Sequence, residues 1–338
     1  MKKLLIVIST LIVVILGAFI LNTRRNESYS YLTTSYSTEK TMMVSYTGEI
    51  NQTEIDTFTV KCVEKIYDLE IGRLLADKYG NKALLLLTEG EPSTQNIEFE
   101  YFNICDVVEY ENYIYVLFSP SLNTAKIVKY DVNFNPIDES KELQGDPRNI
   151  VIYDDTIYLL VNDYSDNGRK SIISSISIEE MGQTNSVTIN SLVFVFHLAF
   201  HDGDLIAYGN TEEDNFSFGL SVFNTNLEEI DTRRYNYPAL WVRKSITYSD
   251  YWFVLNDISI IKLDQAYETI DIYQKAGYIM VDAMMVEDTL YALIRNVEKN
   301  ETVIELIDPE SFETKDRISI TKGLEEDYMV PTLLLKTN

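Results

Sequence analysis

The chain has 338 residues, of which 28 are Lys or Arg and 53 are Asp or Glu, giving a formal charge of −25. Residues 1–25 hold four basic residues and no acid, so residues 26–338 carry a formal −29. A surface this acidic repels phosphate backbones, which argues against nucleic acid as a partner, and an apolar content of 46% argues against a disordered chain.

Residues 1–3 form a short basic lead. They precede residues 4–21, a run of apolar character without a single charge. Its length falls in the range that lets an apolar helix span a bilayer. Bulky Ile20 and Leu21 stand where a signal-peptidase site would need small residues. The expectation is an uncleaved transmembrane signal-anchor, with a secreted chain after cleavage as the alternative. Lys2 and Lys3 against Arg24 and Arg25 set the orientation only weakly. A basic lead favours the N-terminus inside and the C-terminal domain extracytoplasmic. Residues 22–37 read as a polar tether, and residues 38–338 as one β-rich domain.

From there the chain repeats itself. Tight polar turns centre on Asn112, Asp155, Gly203, Asp250 and Asp288, each flanked by apolar runs rich in Tyr, Leu, Val and Ile. Residues Tyr113–Phe118, Thr156–Val161, Asp204–Tyr208, Tyr251–Leu255 and Thr289–Ile294 are the second runs. Asp, Asn and Gly suit hairpin turns because they tolerate left-handed backbone. A degraded copy is read upstream, with Arg73–Ala76 leading, Asn81 turning and Lys82–Leu87 following. The spacing of the five clear turns is close to the blade length of a propeller, roughly 40–50 residues. The interval from Asn81 to Asn112 is distinctly shorter, short enough to lack a strand.

A second set of turns follows most of the hairpins, at Asp131, Asn224, Asp264 and Asp308, and each leads into a further short strand. Each unit therefore reads as four antiparallel strands, as a propeller blade requires. Leftover strand-like runs at Tyr29–Leu32, Met42–Tyr46 and Asp56–Val60 can join the C-terminal run Tyr328–Leu335 in one mixed blade. Closure of that kind removes exposed strand edges. The expected fold is all-β: a propeller of seven four-stranded blades, with six or eight as alternatives, preceded by one transmembrane helix.

Two residue groups could carry metal chemistry. His197 and His201, the only histidines, stand four apart and share one face of a strand. Two imidazoles on one face could ligate zinc or copper, although no Cys or carboxylate cluster adjoins them and core packing explains them more simply. Asp163, Ser165 and Asn167, followed by Gly168, resemble the opening of a calcium loop, but position 12 is Ser174 instead of Glu. An ordinary hairpin turn accounts for the same residues. No nucleophile elbow, P-loop or dinucleotide fingerprint occurs, and catalytic residues are not assignable. Cys62 and Cys105 could pair only if neighbouring strands bring them together. The 24 tyrosines suit half-buried sheet positions with the ring covered and the hydroxyl wet.

The blade pattern over residues 30–336 resembles the β-propeller superfamily, in particular divergent quinoprotein-like and WD40-like propellers. There is no Gly-His…Trp-Asp signature, kelch double glycine or Asp-box, and Trp241 and Trp252 do not recur at blade spacing. The resemblance carries over no functional residue. The expected role is a membrane-anchored extracytoplasmic binding module for a protein, peptide or cell-envelope ligand. The alternative is a propeller enzyme, a hydrolase, lyase or cofactor-dependent dehydrogenase, with its site in the central channel.

Overall fold

The computed structural model describes residues 29–35, 41–46, 50–54, 63–77, 79–87, 94–165, 168–211, 217–238, 241–296, 298–299, 301–320 and 329–336. The basic lead, the apolar segment 4–21, the run Asp56–Val60 and Cys62 lie outside them. Among the described residues no helix is long and apolar enough to cross a membrane.

Strands β1 (Tyr29–Ser35), β2 (Thr41–Tyr46) and β3 (Ile50–Glu54) come first. Blade 1 is β4 (Val63–Leu69), β5 (Gly72–Asp77), β6 (Lys82–Leu87) and β7 (Thr94–Glu98). Blade 2 is β8 (Ile104–Tyr110), β9 (Tyr113–Phe118), β10 (Thr124–Tyr130) and β11 (Pro136–Glu139), with the short β12 (Leu143–Gln144) also paired to β10. Blade 3 is β13 (Asp146–Tyr153), β14 (Thr156–Asp163), β15 (Lys170–Ser177) and β16 (Gln183–Ile189). Blade 4 is β17 (Phe194–His201), β18 (Asp204–Asn210), β19 (Ser217–Phe223) and β20 (Glu229–Pro238). Blade 5 is β21 (Lys244–Tyr248), β22 (Tyr251–Leu255), β23 (Ile260–Leu263) and β24 (Thr269–Tyr273). Blade 6 is β25 (Ile279–Val286), β26 (Thr289–Asn296), β27 (Glu301–Ile307) and β28 (Thr314–Ile320), and β29 (Met329–Lys336) ends the chain.

The fold is thus an all-β propeller, and these six blades are four-stranded antiparallel meanders. A further sheet, in the order β29-β1-β2-β3, pairs the last strand with the first. The backbone of β29 also lies against β25 and β4, the leading strands of blades 6 and 1. Strand β1 takes in residues 29–35 of the segment read as a tether.

The turns form where the sequence places Asx and Gly residues. Glu111 and Asn112, Asp154 and Asp155, and Asp202 and Gly203 all adopt left-handed φ between 47° and 89°. Two successive left-handed residues make a type I′ turn, whose twist matches the flanking strands. The second set of turns repeats one device. The side-chain oxygen of Asp131, Asn224 or Asp264 accepts the backbone N–H groups two and four residues on, at 2.8–3.0 Å. Left-handed Phe134, Leu227 and Tyr267 then turn inward to pack on the blade cores.

The degraded first copy needs correction. Its leading run Arg73–Ala76 belongs to the second strand of blade 1, and Asn81 lies in the loop between the second and third strands. The turn equivalent to the other five is Glu70–Ile71, between β4 and β5. Measured from Ile71, the interval to Asn112 matches the others, and blade 1 lacks no strand. The four consecutive leucines at 84–87 look like the second run of the other copies, and this hid the offset.

The apolar core lies in the seams between blades. Leu74, Leu85, Val116 and Phe118 join blades 1 and 2, and Tyr115, Ile127, Ile157 and Leu159 join blades 2 and 3. Leu160, Ile173, Leu205 and Phe223 join blades 3 and 4. Tyr208, Phe218, Trp252 and Val254 join blades 4 and 5, and Phe253, Leu255, Leu290 and Ile294 join blades 5 and 6.

Candidate binding face at one end of the ring

A sequence position that the repeat reading overlooked organises the inner rim. Lys65, Asp106, Asn149, His197, Lys244 and Asp282 each stand six residues ahead of the second residue of an inner hairpin turn. In blades 2 to 6 each is paired with the fifth residue of the neighbouring strand: Leu117, Leu160, Tyr208, Leu255 and Leu293. In blades 2, 3, 4 and 6 a register shift immediately precedes it. Such a bulge bends the strand and re-aims the side chain, here toward the next blade.

Most of these groups are spent on joining blades. Lys65 Nζ lies 3.3 Å from Asp106 Oδ1, and Asp106 Oδ2 accepts the Ile150 N–H of blade 3 at 3.0 Å. Burial raises the Asp106 pKa, with the Lys65 ammonium opposing it. Asn149 bonds blade 4 twice, donating to Leu198 O at 2.9 Å and accepting Leu198 N–H at 3.0 Å. Lys244 and Asp282 form an ion pair at 2.5 Å. A buried polar group without a partner costs about 1–3 kcal/mol, so each pairing holds the ring closed locally.

His197 differs. Burial lowers its pKa to about 3, and the ammonium groups of Lys65, from blade 1, and Lys244, from blade 5, add to the effect along with His201. Side chains of blades 1 and 5 thus lie near enough to His197 for their charge to act on it. His201 lies on the same strand face as His197, and both rings flank Tyr208. Its Nε2 is 2.9 Å from Tyr208 Oη, its Nδ1 is 3.4 Å from Thr247 Oγ1, and its ring stacks on Trp252 at 4.5 Å. Burial lowers the His201 pKa to about 4. With both ring nitrogens engaged, a metal ion at His201 would first have to displace a hydroxyl.

The loop of Asp163, Ser165 and Asn167 sits between β14 and β15. Asp163 accepts the Ser165 N–H and hydroxyl, each at 3.0 Å, and the Asn123 amide at 3.3 Å. These bonds, the Ser165 ones foremost, hold its carboxyl below the usual range. Asn167 lies outside the described residues. Among the described residues, no three His, Cys, Asp or Glu side chains converge as a metal site would require.

The blade connectors and the loops between second and third strands share one end of the ring, because the strands alternate in direction. At that end, beside the rim, an aromatic and arginine cluster comes together from blade 3, blade 4 and the connector between blades 4 and 5. Phe194 and Phe196 lie 4.5 Å apart at 49°, and Trp241 sits 5.3 Å from Phe196 and 6.4 Å from Phe194. Tyr164 borders Phe194 at 6.5 Å. The guanidinium groups of Arg148 and Arg169 each stand 5.5 Å from the Phe194 ring. Trp241 is 54% exposed and holds a left-handed φ of 49°. A bulky residue in that conformation costs free energy that packing must offset. Blade 3 supplies Arg148, Tyr164 and Arg169, blade 4 supplies Phe194 and Phe196, and the connector after β20 supplies Trp241, so neither spacing nor local motif marks the cluster in the sequence.

No protein-family model matches the chain, and a search of curated proteins returned no match. Among solved structures, the chain is similar to a hypothetical selenium-binding protein from Sulfolobus tokodaii (TM-score 0.63, 9% identity, 87% of this chain and 91% of that one). It is also similar to a periplasmic gluconolactonase of Pseudomonas aeruginosa (0.62, 10%, 91% and 98%) and the WD40 domain of Pan2 from Neurospora crassa (0.54, 14%, 82% and 88%). At such identities the likeness concerns the fold alone. The chain is a divergent β-propeller, of a fold shared by binding domains and enzymes.

Proposed function

We propose that this protein is a membrane-anchored, extracytoplasmic binding propeller. One observation carries the reading: charges at the inner rim are largely consumed in joining blades, whereas aromatic and arginine side chains stay open at one mouth of the ring. Trp, Tyr and Arg are the residue types that dominate binding hot spots. The uncharged segment 4–21 supplies the anchor, and the propeller closes as a seven-bladed ring in which β29-β1-β2-β3 is the last blade. The pairing of β29 with β1, and its position against β25 and β4, supports that closure.

The test has two arms. Expressed in full, the chain stays with membranes through alkaline carbonate extraction, and external protease removes the propeller from intact cells or spheroplasts. Affinity capture on the full chain retains a partner that is lost when Trp241 is replaced by Ala. Release by carbonate, protection from protease, or capture that ignores Trp241 overturns the corresponding part.

A second reading rests on His197. A neutral imidazole on the leading strand of blade 4, near enough to Lys65 and Lys244 to sense their charge, can donate a hydrogen bond to an anionic substrate, as a propeller enzyme would need. Turnover of an anionic substrate that H197Q abolishes, with Trp241→Ala left active, would favour it.

A further inference from the structure

We propose that the aromatic and arginine cluster docks an acidic peptide segment carrying an aromatic or aliphatic side chain next to a carboxylate. This rests on the binding reading above and names its partner.

Shape selects the apolar part. Phe194, Phe196 and Trp241 are mutually inclined by 47–73°. Rings so tilted form a notch that a side chain can enter. They do not offer the flat platform on which a sugar ring stacks. Phe194 forms the floor, being only 8% exposed, and Trp241 forms an open wall. Burial of one aromatic or leucine side chain there is the kind of central anchor that hot spots use.

Charge selects the rest. Arg169 is exposed, and no described residue forms an ion pair with it. Arg148 gives one terminal nitrogen to Tyr164 Oη and Asp146, each within 2.9 Å, while its buried Nε has no acceptor. Among the described residues, Asp146 is the one acid paired with either of these two guanidinium groups, on a chain with a formal charge of −25. Both are held against an aromatic ring, which fixes the planar fork and lowers the entropy lost when it takes a carboxylate. The complementary partner supplies carboxylates on either side of its apolar anchor.

A contrasting concavity of about 370 Å³ lies between blades 1 and 2, lined by Glu98, Glu100, Asp138, Phe134 and Ile137 among others. Its rim is acidic and would repel such a peptide, so it serves as the control surface.

The experiment is selection of a random decapeptide library on the full-length chain, followed by titration of the best peptide. Only Trp241 and Trp252 fluoresce as indoles, and Trp252 is 4% exposed, so Trp241 reports directly. Selected peptides should be acidic, with Phe, Trp or Leu within two residues of Asp or Glu. Binding of a Trp-free example should shift Trp241 emission to the blue. Trp241→Ala and the double variant R148Q/R169Q should each weaken affinity at least tenfold, whereas Ile137→Ala should leave it unchanged. Thermal unfolding of each variant checks that it remains folded. Neutral or basic selected peptides, or affinity indifferent to all three replacements at the cluster, overturn the proposal but leave the binding role intact at another surface. Binding of an oligogalacturonate with the same variant dependence overturns the partner class. No peptide selected, together with no partner captured on the full chain, overturns both this inference and the binding reading.

Discussion

The seam between blades 3 and 4 and the seam between blades 5 and 6 perform the same task with opposite chemistry. The first is neutral. Asn149 clasps the Leu198 backbone, Asn162 donates to Val195 O at 3.1 Å, and Ser171 Oγ links Asn162 to Val195 N–H. The second is ionic. Lys244 pairs with Asp282, Glu305 receives Tyr273 and Lys275, and the buried Lys262 donates to Pro309 O at 2.8 Å and Glu310 O at 2.9 Å. The lesson is that the repeat fixes where a joint must be made and leaves its chemistry free. A neutral joint loses directed hydrogen bonds when cut. An ionic joint also strands a charge or its partners away from water.

The largest expected effect is therefore at Lys262, which is 2% exposed and lies 3.9 Å from the Tyr251 ring centroid. Lys262→Ala should cost about 3–5 kcal/mol, from two stranded carbonyls and a cavity, as read by urea denaturation. A loss below about 1 kcal/mol would mean that the blade 6 turn re-solvates freely. That would remove the contrast between the seams.

Acid should act next, at the junction of blades 4 and 5. His201 is held at about 4 against an ordinary 6.5. The unfolded chain then binds a proton that the folded one refuses, so stability is full above pH 6.5 and falls as pH drops toward 4. Between pH 7.5 and 5 the loss attributable to His201 is roughly 2 kcal/mol. His201→Gln should roughly halve the acid slope, because His197, held at about 3, contributes over the same range, and an unchanged slope would assign the titration elsewhere.

Asn149→Ala should cost roughly 1–3 kcal/mol, since it strands the Leu198 N–H and carbonyl. Unlike the ionic seam, this joint should give the same loss at low and at high salt. Salt dependence in the Asn149 variant would show that the two seams share electrostatics. The smallest effect is at the rim: Lys244→Met should lower stability by about 1 kcal/mol at low salt, because the buried Asp282 keeps the Ala283 N–H and the Lys244 side chain is 35% exposed. Added salt should shrink that difference in thermal unfolding, and a difference that grows would argue against an ion pair there.

Tyrosine shows how far the sequence could be read. Alternation told that many of the described rings would be covered, with Tyr79, Tyr153 and Tyr164 as exposed exceptions, but it expected wet hydroxyls where several are engaged or buried. Many of them bond the next blade: Tyr67 to Cys105 O, Tyr110 to Asp155, Tyr158 to Thr225 O, Tyr235 to Tyr267 O and Tyr248 to Asp288. Those partners are 32 to 67 residues away in sequence. Local periodicity cannot see such pairs, because blade packing creates them. The polar position six residues ahead of each inner turn was visible in the alignment of copies, yet its residue type varies from Lys to Asp to Asn to His. A search for one repeated residue passes over it.

Local chemistry along the chain was enough to set the repeat, the turns and the all-β character, because left-handed Asx and Gly residues and alternating apolar runs act within a few residues. The true start of blade 1, the pairing of rim charges and the meeting of Phe194 with Trp241, Arg148 and Arg169 emerged only in the folded ring. Each of those depends on side chains from different blades, and only packing one sheet against the next sets the distances between them.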